Sequence, residues 1–328
     1  MVKSIIKTNA LAMAMALAPL ATQAQVDYSV VQVNEEAGLE LTRVTGDNDY
    51  VCMPEVRRSG ATVNWLSNRI IDISPDGQKL AYLSWRNNTS NIFIKDVGRQ
   101  GSSVQRTNRT AVLDFAYSPD GKYICFSEKS GRLNQIYQTS ATGSYVCRQI
   151  TTGNADYSPA YSADMTEIFF ARQENKGVSV WSYNMANNFL ANYTRGMNPC
   201  PMAGGKTLLC ARVGAEGRGE IWRVNYETGV EECILADPTR SFTTPTLSPD
   251  GKWILAVGSS VLMNGTMRYA NTDIFAVRTD GTQLTQLTYH AADDLSPAWS
   301  RDGRHIYFVS QRGSSTATAN VWRMTFGL

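Results

Sequence analysis

The chain has 328 residues, 43% of them hydrophobic and 10% aromatic, with 31 lysines and arginines against 29 acids and a formal net charge of +2. Those fractions exclude a disordered chain, and so even a charge balance excludes the basic footprint of a nucleic-acid-binding protein. Two histidines, His290 and His305, leave little material for histidine-rich metal sites.

The first element in chain order is an export signal over residues 1–24. Lys3 and Lys7 form a positive n-region, Ala10 to Ala21 an apolar stretch, and Thr22-Gln23-Ala24 a small-residue cleavage site before Gln25. The apolar stretch is well short of the ~20 residues a membrane span needs. No cysteine follows the cut, so a lipid anchor is not indicated, and no later run is long enough to span. Removing Lys3 and Lys7 leaves 29 bases against 29 acids, a neutral exported body. Residues 25–37 are expected to be an N-terminal linker and 38–328 one folded domain. In an oxidising compartment the six cysteines are free to pair. Several sit in apolar strand patterns, such as Ile124-Cys125-Phe126, where a buried thiol is expected; Cys200 and Cys210, on adjacent strands of one hairpin, are the pair best placed to bridge.

From residue 74 onward the chain repeats. Ser74-Pro75-Asp76-Gly77 recurs as Ser118-Pro119-Asp120-Gly121 and Ser248-Pro249-Asp250-Gly251, with a near copy at Ser300-Arg301-Asp302-Gly303 and decayed copies at Ser162-Ala163-Asp164-Met165 and Met202-Ala203-Gly204-Gly205. Proline presets φ, aspartate bonds its own backbone and glycine accepts positive φ, so each copy is a tight turn between two strands. A second marker, a polar or small residue followed by a β-branched and an aromatic one, occurs once per unit: Asn91-Ile92-Phe93, Gln135-Ile136-Tyr137, Ser179-Val180-Trp181, Glu220-Ile221-Trp222, Asp273-Ile274-Phe275 and Asn320-Val321-Trp322. These read as third strands. The chain stops too soon after Trp322 for a sixth outer strand, but Leu41-Thr42-Arg43-Val44-Thr45 copies Leu284-Thr285-Gln286-Leu287-Thr288. The expected fold is therefore all-β: a six-bladed propeller of four-stranded antiparallel blades, closed by an N-terminal strand in the last blade.

The turns, the alternation after them and the third strands resemble the propeller repeats of the TolB-type family, the WD40-like PD40 group. The resemblance covers roughly residues 38–328 and implies a periplasmic propeller of the cell envelope. TolB itself carries a mixed α/β domain ahead of its propeller, whereas here only residues 25–37 precede the first strand. Related propellers gate serine peptidases or cleave polysaccharides with metal-binding histidines. This sequence offers neither a Gly-x-Ser-x-Gly elbow nor a histidine set. Gly214-Ala215-Glu216-Gly217-Arg218-Gly219 has the glycines of a dinucleotide loop but leads into a strand, so it reads as a hairpin loop.

The loops between second and third strands share one propeller face with the loops between blades. The former carry Arg86, Lys129, Arg172, Arg212 and Arg312; the latter bring Asp47, Asp49, Asp156, Asp237, Asp293 and Asp294, with His290 beside them. A solvated rim is the plain reading, and a mixed-charge funnel gripping a protein segment the sharper one. The long connector Gly46–Asn68, holding Cys52, Met53, Pro54, Arg57 and Arg58, and the expanded loop Gly258–Thr272 lie on the same face. The expected function is an exported, non-enzymatic, monomeric binding module without a cofactor or metal, whose partner is an envelope protein or peptide. The alternatives are a glycan-binding or glycan-cleaving propeller using rim carboxylates, and a purely structural platform.

Overall fold

Each turn copy folds through the same side-chain bonds. Ser74 Oγ lies 2.5 Å from Asp76 Oδ1, Lys79 N–H donates to Ser74 Oγ (2.9 Å), Gln78 N–H to Asp76 Oδ1 (3.0 Å), and Gly77 takes φ +73°. Ser118/Asp120, Ser248/Asp250 and Ser300/Asp302 repeat the set, as does the decayed copy Ser162/Asp164, where Met165 must take φ +61°. These bonds hold Asp76, Asp120, Asp164, Asp250 and Asp302 below the usual carboxylate range, the serine hydroxyl being the main cause.

The computed structural model describes residues 40–328 apart from 55, 60–61, 66–68, 99–100, 144, 265–266 and 315–317. The expected export segment and linker lie outside these residues. Six four-stranded antiparallel sheets are blades of one propeller. Blade one comprises Ile71–Ile73, Lys79–Arg86, Thr89–Asp96 and Val104–Gln105; blade two Val112–Tyr117, Tyr123–Ser130, Leu133–Ser140 and Cys147–Gln149; blade three Ala155–Tyr161, Glu167–Glu174, Gly177–Asn184 and Leu190–Arg195. Blade four follows as Met197–Pro201, Thr207–Val213, Gly219–Asn225 and Glu231–Leu235, and blade five as Phe242–Leu247, Trp253–Asn264, Met267–Arg278 and Thr285–Gln286. Blade six takes Asp294–Trp299, His305–Ser310 and Asn320–Thr325 from the C-terminal end and Leu41–Arg43 from the N-terminal end, with Leu41 opposite Met324 and Arg43 opposite Trp322.

The likeness of residues 41–45 to 284–288 has a physical basis. Thr288 Oγ1 accepts the N–H of Ile274 (2.9 Å), and Thr45 Oγ1 accepts the N–H of Val321 (2.8 Å), so each threonine serves the β-branched residue of a third-strand marker. Thr107 and Thr151 do the same for Ile92 and Ile136. The connector then clasps blade one. Asp49 receives Tyr82 OH (2.7 Å) and Lys95 Nζ (2.8 Å), and Val51 bridges Ser84 of blade one and Ala319 of blade six. Its remainder includes a hairpin, Val56–Ser59 with Thr62–Trp65.

Sheet faces bury aliphatic and aromatic side chains between blades, with Tyr82, Phe115, Phe126, Phe169, Phe170, Phe242, Phe275 and Phe308 fully enclosed. Burying each contributes roughly 1.5–3 kcal/mol. Two expectations are corrected. All six cysteines are free thiols. Cys200 pairs in register with Leu209, which turns Cys210 to the opposite sheet face, against Phe169 and Leu208. And Gly258–Thr272 is not a loop, because the two strands of blade five stay in register from Gly258↔Asp273 out to Asn264↔Met267. The inner strand stops pairing at Phe242↔Gly258, so six further rungs carry the hairpin roughly 20 Å beyond the blade.

Candidate functional site

The structure brings the sequence-selected rim charges together within blades, not across them. Arg172 grips Asp156 with two bonds (2.7 and 2.9 Å), both side chains buried, and its guanidinium lies 4.6 Å from the Trp181 ring centroid. Arg312 pairs with Asp294, also buried, and lies 4.9 Å from Phe308. Arg212 binds Glu231 (2.7 Å) over Trp222 at 4.6 Å. Arg86 donates to Ser84 Oγ (2.9 Å) and to the carbonyl of Asp49 (3.3 Å), and stacks 4.2 Å from Phe93. In blade two the equivalent stack comes from Arg109, over Tyr137 at 4.6 Å and bound to Glu128, while the half-buried Lys129 faces Asn134 across the hairpin. In blade five Arg240 lies 5.5 Å from Phe275. The aromatic of the third-strand marker is thus the platform for an arginine in five blades, an arrangement worth ~0.5–2 kcal/mol each.

His290 is buried; its Nδ1 accepts the N–H of Ala292 (2.9 Å), which leaves Nε2 as the N–H of a neutral ring. Asp237 caps the N–H groups of Thr239 (2.7 Å) and Arg240 (3.0 Å), and Asp293 accepts from Thr272 (3.1 Å). The rim acids hold loops in place.

The opposite face, where the Pro-Asp-Gly turns lie, carries an open funnel of about 650 Å³ at the propeller axis. All six blades line it, with Pro75, Pro119, Pro201, Pro249 and Pro297, the aromatics Tyr117, Tyr161 and Trp299, and Met202, Ala163, Ala203 and Arg301 among its walls. Arg69 and Asp72 of blade one also line it. Toward the rim face the channel is walled by inner-strand bulges. Ser158, Asn198, Thr244 and Ser296 take φ between +51° and +54°, and each precedes a proline. Proline suits a bulge because the displaced position needs no ladder N–H. Ser158, Asn198 and Ser296 are hydrogen-bonded around the axis. Ser158 N–H donates to Asp114 Oδ2 (2.9 Å), Asn198 Nδ2 to Ser158 Oγ (3.2 Å), Thr243 Oγ1 to Asn198 Oδ1 (3.0 Å), and Ile70 N–H to Ser296 Oγ (2.8 Å).

Burial dominates Asp72, which lines the funnel, and Asp114, which bonds to Ser158 behind it. It pushes Asp114 up to about 6 despite the bonds from Ser127 and Ser158, and it raises Asp72 against the opposing field of Arg69. A second cleft of about 610 Å³ lies between the closing segment and blade one, lined by Arg43, Asp47, Asp49, Arg86, Lys95 and Ser103. Among the described residues no three His, Cys, Asp or Glu side chains are grouped to hold a metal.

Reading the rim charges alone misses this funnel. The signal is in the repeat: counted back from each turn, position minus five is Arg69, Leu113, Tyr157, Met197, Thr243 and Leu295, and position minus two is Asp72, Ala116, Ala160, Cys200, Thr246 and Ala298. Blade one alone puts charges there.

The family model described as the TolB beta propeller domain matches residues 66–263, more than half of the chain. The Tol-Pal system protein TolB of Francisella tularensis subsp. holarctica is 27% identical over 229 residues, 67% of this chain and 50% of that protein, so the chain spans about half the length of the curated relative. The crystal structure of TolB from Acinetobacter baumannii superposes with a TM-score of 0.58 at 18% identity, covering 70% of this chain and 56% of that one. Oligogalacturonate lyase from Vibrio parahaemolyticus superposes at 0.59 and 12% identity, covering 90% and 96%. At these identities the structural likeness is one of fold alone.

Proposed function

The chain belongs to the TolB β-propeller family, and from that premise we propose that it is an exported cell-envelope binding protein that holds a protein or peptide partner in the turn-face funnel without chemistry on it. In this reading residues 1–24 direct export, 25–37 are a linker, and the propeller acts as a monomer. Among the described residues no helix is long and apolar enough to cross a membrane.

The observation that carries the proposal is the funnel itself, a concave site of about 650 Å³ to which every blade contributes proline, aromatic or small side chains. The turns between third and fourth strands surround it, fastened to the inner turns by bonds such as Met185 N–H to the Thr166 carbonyl (2.8 Å) and Tyr226 N–H to the Lys206 carbonyl (2.8 Å). Just after those turns the apolar side chains of Val146, Phe189, Val230 and Leu284 are exposed. A central pocket within a scatter of apolar contacts is what a protein partner engages. The rim supports the same division. Asp156 and Asp294 are fully buried and bound by arginines, which favours a fastening role for them over that of acid and base in glycan cleavage.

Ala163 and Ala203 are exposed in the funnel wall. Ala163→Trp and Ala203→Trp fill the site with little disturbance of the core. Partner recovery after in-cell crosslinking is expected to fall at least tenfold in both, with melting temperatures unchanged. Full recovery with a filled funnel overturns the proposal.

A further inference from the structure

We propose that Arg69 anchors an anion subsite on the funnel floor that receives a carboxylate group of the bound partner; this rests on the funnel being the partner-binding surface. Arg69 lines the funnel, and at the same distance before their turns the other five blades carry the uncharged Leu113, Tyr157, Met197, Thr243 and Leu295, none of which lines it. Its Nε is buried and has no hydrogen-bond acceptor among the described residues. Buried donors are almost always satisfied, and one that is not calls for a ligand or a bound solvent molecule.

The neighbouring acids do not supply that acceptor. Asp72 Oδ1 accepts Ile73 N–H (2.9 Å) and Oδ2 accepts Tyr117 N–H (2.9 Å). Asp114 accepts Ser127 Oγ–H and Ser158 N–H (2.9 Å). Both act on Arg69 only through the field, and neither closes an ion pair with it. The guanidinium therefore keeps its donor fork unspent, on the wall of the funnel. A planar fork matches a carboxylate, and arginine cannot discharge to escape burial. Asp72 and Asp114 also set the ligand class. Both acids would repel a phosphate dianion more strongly than a singly charged carboxylate.

The charged and titratable groups around Arg69 are Asp72, Asp114, Cys125 and Cys200. Burial pushes both thiols up, so they stay neutral in mild acid. Asp114, pushed up to about 6, takes a proton between pH 7.5 and 5.5, which makes the floor more positive.

The test follows the Arg69 Nε–Hε resonance of the full folded chain during titration with N-acetyl-trialanine bearing a free C-terminus, with its C-terminal amide, and with acetate. The expected result is a saturable shift with the free acid, none with the amide, much weaker binding of acetate, and loss of peptide binding in Arg69→Gln. A resonance that ignores the free acid, or moves equally with the amide, overturns the subsite; acetate binding as tightly as the peptide overturns its assignment to a partner. If Arg69→Gln leaves in-cell partner capture intact while Ala203→Trp abolishes it, the carboxylate anchor fails and the funnel stands. If neither substitution changes capture, the funnel reading fails first.

Discussion

Replacing Arg172 by methionine separates the two roles open to the rim charges. The side chain is 8% exposed and its partner Asp156 is 0% exposed, joined by bonds of 2.7 and 2.9 Å. Methionine keeps an aliphatic stem over Trp181 but strands a carboxylate in a site with no other described cation. Breaking a buried pair from one side costs about 3–5 kcal/mol, far more than an exposed pair is worth. At about 2–4 °C per kcal/mol for a domain approaching this size, the melting temperature should fall by roughly 6–20 °C. Removing both charges, Arg172→Met with Asp156→Leu, should recover at least half of that loss, because an apolar replacement carries no stranded charge. Urea unfolding at 25 °C of both single variants and the double gives the coupling energy directly. A single variant costing under about 1 kcal/mol, or a double no better than the sum of its parts, refutes the fastening role. A grip on a partner predicts instead normal stability with lost capture.

Three further outcomes follow from the same geometry. Burial raises the folded-state pKa of Asp114 to about 6, above the ordinary aspartate value of about 3.9, so its contribution is fully present below about pH 4 and is lost as pH rises through 6; the size is about 3 kcal/mol, and Asp114→Asn, which can still serve Ser158 N–H and Ser127, should flatten that part of the stability–pH curve measured by denaturant titration. Met165, at φ +61° in the decayed turn, is strained relative to the glycines of the intact copies, so Met165→Gly should stabilise by about 0.5–1 kcal/mol, and a loss in the same melting experiment contradicts the turn account. Thr45→Val removes the acceptor of Val321 N–H and a bond to Asn320, and should cost about 1–3 kcal/mol while accelerating amide exchange at Val321; unchanged exchange would show that the closing strand does not hold the last blade.

The fold was legible because the features that specify it are local and repeated. Ser-Pro-Asp-Gly makes its own turn, and the third-strand markers carry both a core aromatic and the N–H that a fourth-strand threonine receives. Thr45 could be matched to Thr288 from sequence because both do that same work. Register was harder to read. One residue of offset between Cys200 and Leu209 turns Cys210 away from Cys200, and period-two side chains make such slips invisible in a linear pattern. The rim was legible as a set of charges but not as pairs, since Asp156 and Arg172 are 16 residues apart and meet only across a strand pair. The funnel was hidden for a different reason: its residues differ from blade to blade, and Arg69 becomes conspicuous only against the uncharged residues at the same distance before the other five turns.

The most direct measurement places a photo-crosslinking side chain at Ala163 or Ala203 in the funnel, and at Trp85 or Val213, exposed on the opposite face, in cells producing the full chain. The expected result is one discrete protein adduct from both funnel positions and none from Trp85 or Val213. Adducts from the opposite face, with the funnel positions silent, would contradict the assignment of partner binding to the turn face.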